Sequence, residues 1–238
     1  MIPAWGRLSL LGATLRHLAR IAPEVEVLVV GSEGQASYDA ALDNGASYLQ
    51  VANDPLGAKF DAGVYALRDS RPDGVLMLGC DDFASRALID TALDDLDACV
   101  PYSGLLDFYG YDLMSGALTR CPGYRQTAGA GWRKGDDHGG ARLLSSSLLD
   151  ALDWRPWGGN ASDWSMTCRV RSILGKNRPR LARVRTIAEA GAFVCVDDGK
   201  GLTNFANLEL LPVSDGRAVL LDALGPETVE ELEALGQR

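Results

Sequence analysis

Apolar residues in the first hundred positions alternate between two periods. Leu10, Leu11, Leu15, Leu18 and Ile21 fall at helical spacing and predict a helix from Ser9 to Ile21, ended by Pro23. Val25 to Val30 reads as a strand, and Gly31-Ser32-Glu33-Gly34 as the turn after it. A short helix from Ala36 to Asn44, closed by Asn44-Gly45, precedes a strand from Ala46 to Val51. Gly57 to Arg68 predicts another helix. After the turn at Ser70 to Gly74 come a strand reaching Gly79 and a helix from about Ser85 to Leu96. This order predicts a parallel, right-handed α/β sheet.

Beyond Leu96 the rhythm changes. Cys99 to Tyr102 reads as a strand, and Phe108 to Asp112 with Leu118 to Cys121 as an antiparallel hairpin. The glycine-rich stretch from Gln126 to Gly140, which holds Trp132 and His138, predicts a mobile loop. Helices are expected at Ser145–Leu152 and Ala161–Leu174, a strand at Ala192–Val196 and an acidic amphipathic helix at Pro226–Leu235. No internal repeat or linker divides the chain, so one domain over 1–238 is expected.

Composition narrows the class. At 47% hydrophobic residues in 238, a full core is expected and disorder is excluded. No apolar stretch reaches membrane-spanning length, and the first residues lack the pattern of a signal peptide. The five cysteines (80, 99, 121, 168 and 195) form no CxxC pair, which fits reduced thiols and a cytoplasmic location. A net charge of −9 disfavours nonspecific nucleic-acid binding. Arg169, Arg171, Lys176, Arg178, Arg180, Arg183 and Arg185 nevertheless crowd one stretch, read either as a solvated face or as a groove for phosphates.

The chemistry concentrates where the run Gly74-Val75-Leu76-Met77-Leu78-Gly79 meets Cys80-Asp81-Asp82. A buried strand delivers its last residues to the carboxyl edge of the sheet, where open α/β folds bind ligands. Two carboxylates there suit Mg²⁺ or Mn²⁺ shared with a diphosphate. In the plainer reading, Asp82 caps the next helix and Asp81 is solvated.

The order of these features over roughly residues 1–200 resembles the GT-A glycosyltransferases, particularly the family 2 type. Ile2-Pro3-Ala4-Trp5-Gly6-Arg7 is similar to the family's first strand and donor loop, and Gly31-Ser32-Glu33 sits where it meets the nucleotide base. Asn53 to Gly63, with Lys59 and Asp61, resembles its Asn-rich turn and helix start, and Cys80-Asp81-Asp82 takes the place of the DxD-like metal motif. Gly140 to Ser145 followed by Asn160-Ala161-Ser162-Asp163-Trp164 resembles the segment carrying the family's catalytic carboxylate. Gly79 stands where the family often has an acid, and Asp61 where it commonly has Asn. The Pro-Leu-Gly-x-Lys-Phe and Leu-Gly-x-Asp-Asp-Phe wording is also similar to transferases carried by bacteriophages.

The resemblance implies a GT-A-like (Rossmann-like) α/β fold: a mostly parallel central sheet flanked by helices, with a smaller antiparallel acceptor-side portion. It divides the chain into a nucleotide-sugar-binding half (1–98), an acceptor-side half (99–200) and a C-terminal extension (201–238). It implies a metal-dependent, inverting glycosyltransferase using Mn²⁺ or Mg²⁺ and a nucleotide-sugar donor, UDP-sugar by default. The acceptor is a hydroxyl, with a hydroxylated base in DNA one candidate. Asp82 and His138 are the expected metal ligands, and Asp163 the general base. Pro3, Trp5, Arg7, Ser32, Glu33, Lys59, Asp61 and Asp81 are the expected donor contacts. Plainer roles stand beside these: an exposed helix lysine for Lys59, dipole complementation for Asp163, an exposed loop residue for His138. Two other functions stay open, a nucleotidyltransferase acting on a sugar phosphate and a non-catalytic nucleotide-binding module of the same fold.

Overall fold

The computed structural model describes residues 1–125, 135–159, 163–199 and 209–237. The chain begins β1 (Ile2–Pro3), α1 (Leu8–Ile21), β2 (Leu28–Gly31), α2 (Gln35–Leu42), β3 (Ser47–Gln50), α3 (Leu56–Ala66) and β4 (Gly74–Met77). Strands β1, β2 and β3 pair in parallel, β2 in the middle. Met1 carries the ladder on to β4: its nitrogen donates to the Leu76 carbonyl at 2.8 Å and its carbonyl accepts from Leu78 N–H at 3.2 Å, the parallel pattern.

The next elements are β5 (Asp82–Ala84), α4 (Arg86–Asp97), β6 (Tyr102–Leu105), β7 (Phe108–Asp112), β8 (Leu118–Cys121), β9 (Arg142–Ser145), α5 (Ser146–Ala151), α6 (Asp163–Leu174), α7 (Arg178–Leu181) and β10 (Ala182–Arg185). Strand β9 lies antiparallel between β4 and β6, and β10 pairs in parallel with β6, so the central sheet runs β3-β2-β1-β4-β9-β6-β10. After α8 (Ile187–Ala190) and β11 (Phe193–Asp197), the chain closes with β12 (Leu211–Pro212), α9 (Gly216–Leu224) and α10 (Pro226–Gly236). A second sheet, β12-β8-β7-β11-β5, is antiparallel except for β11 beside β7.

Helix α1 binds the two sheets together. One side buries Leu11, Leu15 and Leu18 with Ile2 and Val29. Leu10 and Ala13 pack into the cluster formed by Phe83, Tyr111, Val194 and the closing helices. A third cluster joins Val75 and Leu144 of the central sheet to Trp154, Trp157, Met166 and Val170.

Several expectations shift. The strand expected to reach Gly79 ends at Met77, and a separate strand begins at Asp82. Neither aspartate caps α4; Ser85 does, its hydroxyl accepting from Leu88 N–H at 3.2 Å. The strand expected at Cys99 starts at Tyr102, because Cys99 takes a left-handed turn (φ 54°) off the end of α4. Ser145 belongs to a strand and caps α5. Strands β9 and β10 and helix α9 had no counterpart in the hydrophobic pattern. Within the stretch expected to be a mobile loop, residues 126–134 lie outside the described residues, and Asp136, Asp137 and His138 are buried. Among the described residues, no helix is long and apolar enough to cross a membrane.

Candidate functional site

A cleft of about 450 Å³ opens beside the carboxyl end of β4. Its walls include Pro3 at the end of β1, Trp5 and Arg7 after it, Lys59 and Phe60 from α3, Asp81 and Asp82, Trp157, and Cys195 from β11. That volume lies within the range of small-molecule and cofactor sites.

The carboxylates are fixed from several sides. The Thr14 hydroxyl donates to the Cys80 carbonyl at 3.0 Å, and Val196 N–H donates to the Asp81 carbonyl at 2.9 Å. Gly79 N–H donates to Asp82 Oδ2 at 2.5 Å. A side chain at Gly79 would crowd this corner, because its Cβ would lie 2.8 Å from Asp81 Oδ1 and 2.9 Å from Asp82 Oδ2. Arg7 Nη1 donates to Asp81 Oδ2 at 2.5 Å. Cys195, opposite Asp82 in the β5–β11 register, brings Sγ to 3.8 Å from Asp81 Oδ2.

Burial and the neighbouring Asp81 charge push the Asp82 carboxyl up to about 7, while Asp81 is raised by burial against the pull of Arg7. One oxygen from each aspartate and the Cys195 sulfur all lie within 4.8 Å of one another. Two carboxylates and a thiol form a donor set that fits a divalent cation.

The other expected residues fall into groups. Lys59 is buried, not an exposed helix lysine. Its ammonium donates to the Ala4 carbonyl at 2.6 Å, Asn53 Oδ1 at 3.0 Å and Ser32 Oγ at 3.2 Å, and burial lowers its pKa. Ser32 thus meets the cleft through Lys59. The Glu33 carboxylate accepts from Gly6 N–H and holds the turn after β1. Trp5 is 52% exposed at the rim. Asp61 does not line the cleft: its carboxylate accepts from the N–H groups of Trp157 at 2.8 Å and Gly159 at 2.7 Å. It therefore fixes the turn that seats Trp157 edge-on to Phe60, ring centroids 4.8 Å apart.

His138 is buried in the cleft wall and stacks on Phe193 with ring centroids 5.3 Å apart. It stands outside the three-residue cluster, whose third member is Cys195. Asp163 is the first residue of α6, and its side chain is outside the described residues. Sequence reasoning missed Cys195 and Trp157 as cleft residues; only the strand register and the Asp61 clamp bring them in. In the basic stretch, Arg171 and Arg178 pair with buried Asp136, and Arg183 and Arg185 with buried Asp95.

No protein-family model matches the sequence, and no curated protein matches it. Solved structures do. A crystal structure of S. aureus TarS, residues 1–349, superposes with a TM-score of 0.53 at 11% identity, over 82% of this chain and 59% of that one. This fold is GT-A-like. The chain spans about three-fifths of the TarS chain it matches. A 4-diphosphocytidyl-2C-methyl-D-erythritol synthase from Anaerococcus prevotii aligns over 100% of this chain and 96% of its own, at 13% identity and a TM-score of 0.48. The GT-A-like architecture puts Asp81 and Asp82 just past the carboxyl end of a central strand, where open sheets receive ligands.

Proposed function

We propose that the protein is a metal-dependent glycosyltransferase that moves a sugar from a nucleotide-sugar donor to a hydroxyl acceptor, with inversion. The observation that carries the reading is the Asp81–Asp82 pair, the first half-buried and the second buried, facing a 450 Å³ cleft on a GT-A-like fold. In this reading Asp82 and Asp81 hold a divalent cation, which when bound neutralises charge developing on the leaving diphosphate. Arg7 supplies a second positive charge at the same corner, its Nε buried without a hydrogen-bond partner among the described residues. The ammonium of Lys59 adds a third, held by three neutral oxygens with no carboxylate among its bonded partners. Trp5 and Pro3 border the base, and Asp163 takes the proton from the attacking hydroxyl. Ser32, Glu33 and Asp61 are positioning residues, acting through Lys59, the Gly6 turn and Trp157.

The alternative is nucleotidyl transfer onto a sugar phosphate, and the products separate the two: a nucleoside diphosphate for glycosyl transfer, pyrophosphate for nucleotidyl transfer. The first test is a thermal-shift screen of nucleoside diphosphates and nucleotide sugars, with and without Mn²⁺. A cation-dependent rise with one diphosphate, lost in Asp82→Ala, is expected. A cleft indifferent to every nucleotide in either condition overturns the reading.

A further inference from the structure

We propose that Cys195 is a thiolate ligand to the divalent cation of the Asp81–Asp82 corner and biases that corner towards thiophilic ions. The inference rests on the metal reading above and adds to it a donor atom and an ion class.

The placement follows from strand pairing. Strands β5 and β11 run antiparallel with Cys195 directly opposite Asp82. The two Cβ atoms of such a pair project to the same face. The sulfur thereby lies 3.8 Å from Asp81 Oδ2 and within 4.8 Å of an oxygen from each aspartate. Cys80 and Cys121 also line the cleft, yet neither joins this grouping among the described residues.

Two carboxylates alone form a hard oxygen set, suited to Mg²⁺, Ca²⁺ or Mn²⁺. Adding a sulfur shifts preference towards Zn²⁺, Co²⁺ or Cd²⁺. Binding replaces the S–H bond with a sulfur–metal bond and releases one proton to solvent, with no change of oxidation state. Serine at 195 keeps the shape and removes the soft donor.

The test titrates the full chain with Co²⁺ and Cd²⁺, following sulfur-to-metal charge-transfer absorption in the near ultraviolet, and with Mg²⁺ by calorimetry. The wild type is expected to show the band at one ion per chain. Cys195→Ser should abolish it and weaken Cd²⁺ by at least about tenfold, while Mg²⁺ affinity stays within about twofold. Cys80→Ser should keep the band, and far-UV circular dichroism with melting curves establishes that both variants fold. Metal bound by the wild type without a band overturns the thiolate assignment and leaves the carboxylate reading standing. A band that survives Cys195→Ser and disappears in Cys80→Ser does the same. Absence of any ion binding by calorimetry overturns the metal reading, and this inference with it.

Discussion

Two buried acids in this molecule are treated in opposite ways. Asp137 lies behind the central sheet, where Arg142 Nε donates to Oδ2 at 2.5 Å and the Tyr102 hydroxyl donates to the same oxygen at 2.5 Å. Burial alone would raise its pKa, but Arg142 and Tyr102 outweigh it and hold the carboxyl below its ordinary value. Asp82 is as deeply placed, yet among the described residues no cation pairs with it directly: Gly79 N–H donates to it, and burial with the Asp81 charge pushes it up to about 7. The first acid is neutralised by its own chain and serves the scaffold. The second has no paired cation among the described residues and borders the cleft. The contrast distinguishes a charge balanced within the chain from one that borders an open cleft.

The comparison breaks most sharply if Arg142 is removed. Arg142→Leu leaves Asp137 charged and uncompensated, and a loss of about 3–5 kcal/mol in chemical denaturation is expected. The double variant Asp137→Leu/Arg142→Leu should recover a large part of it; if it does not, the pair acts through packing. Asp61→Ala is next. Two backbone N–H groups lose their acceptor, so a loss of about 2 kcal/mol is expected, together with altered fluorescence from Trp157.

Asp82→Asn should act in the opposite direction. In EDTA at pH 8 it is expected to stabilise the protein by about 1–2 kcal/mol while eliminating cation binding, whereas a destabilised variant would place Asp82 with Asp137 as scaffold. The sign with pH follows from the raised folded-state value. Between about pH 4 and pH 7 the folded protein holds a proton at Asp82 that the unfolded chain has lost, so this contribution to stability falls as pH rises through about 7. Saturating cation should flatten that slope.

The smallest effect concerns His17, buried between the Ala84 carbonyl at 2.7 Å and the Thr228 hydroxyl at 2.9 Å. Burial is the main cause of its lowered pKa, so the unfolded chain takes up its proton first on acidification. Stability should therefore decline by up to about 1 kcal/mol as pH drops below about 6.5, and His17→Gln should remove that component from unfolding curves measured against pH.

Apart from β5, the alternation of helices and strands through α4 was legible in sequence from helical apolar spacing and short strand-like runs. Strand β9 was not, since it opens with Arg142, a fully buried arginine whose neutralising acid lies five residues earlier. Hydrophobic pattern does not reveal a charge that is buried because it is paired. Asp81 and Asp82 were legible as a pair at the end of a strand. The plainer readings of His138 as an exposed loop residue and Lys59 as an exposed helix lysine do not hold, because tertiary packing buries both, His138 in its loop and Lys59 on helix α3. Cys195 stands 113 positions beyond Asp82, and only the sheet register joins them.

That register also sets when the corner comes into being. Strand β5 is three residues long and β11 is its sole sheet neighbour among the described residues. A ribosome-bound chain that has emerged only through β10 has Arg7, Asp81 and Asp82 in hand, but β5 has nothing to pair with and Asp81 lacks the Val196 amide that pins it. The cleft is finished only by β11, a strand that also buries Phe193 and Val194, so a chain able to bind at this corner is one in which β11 has already docked.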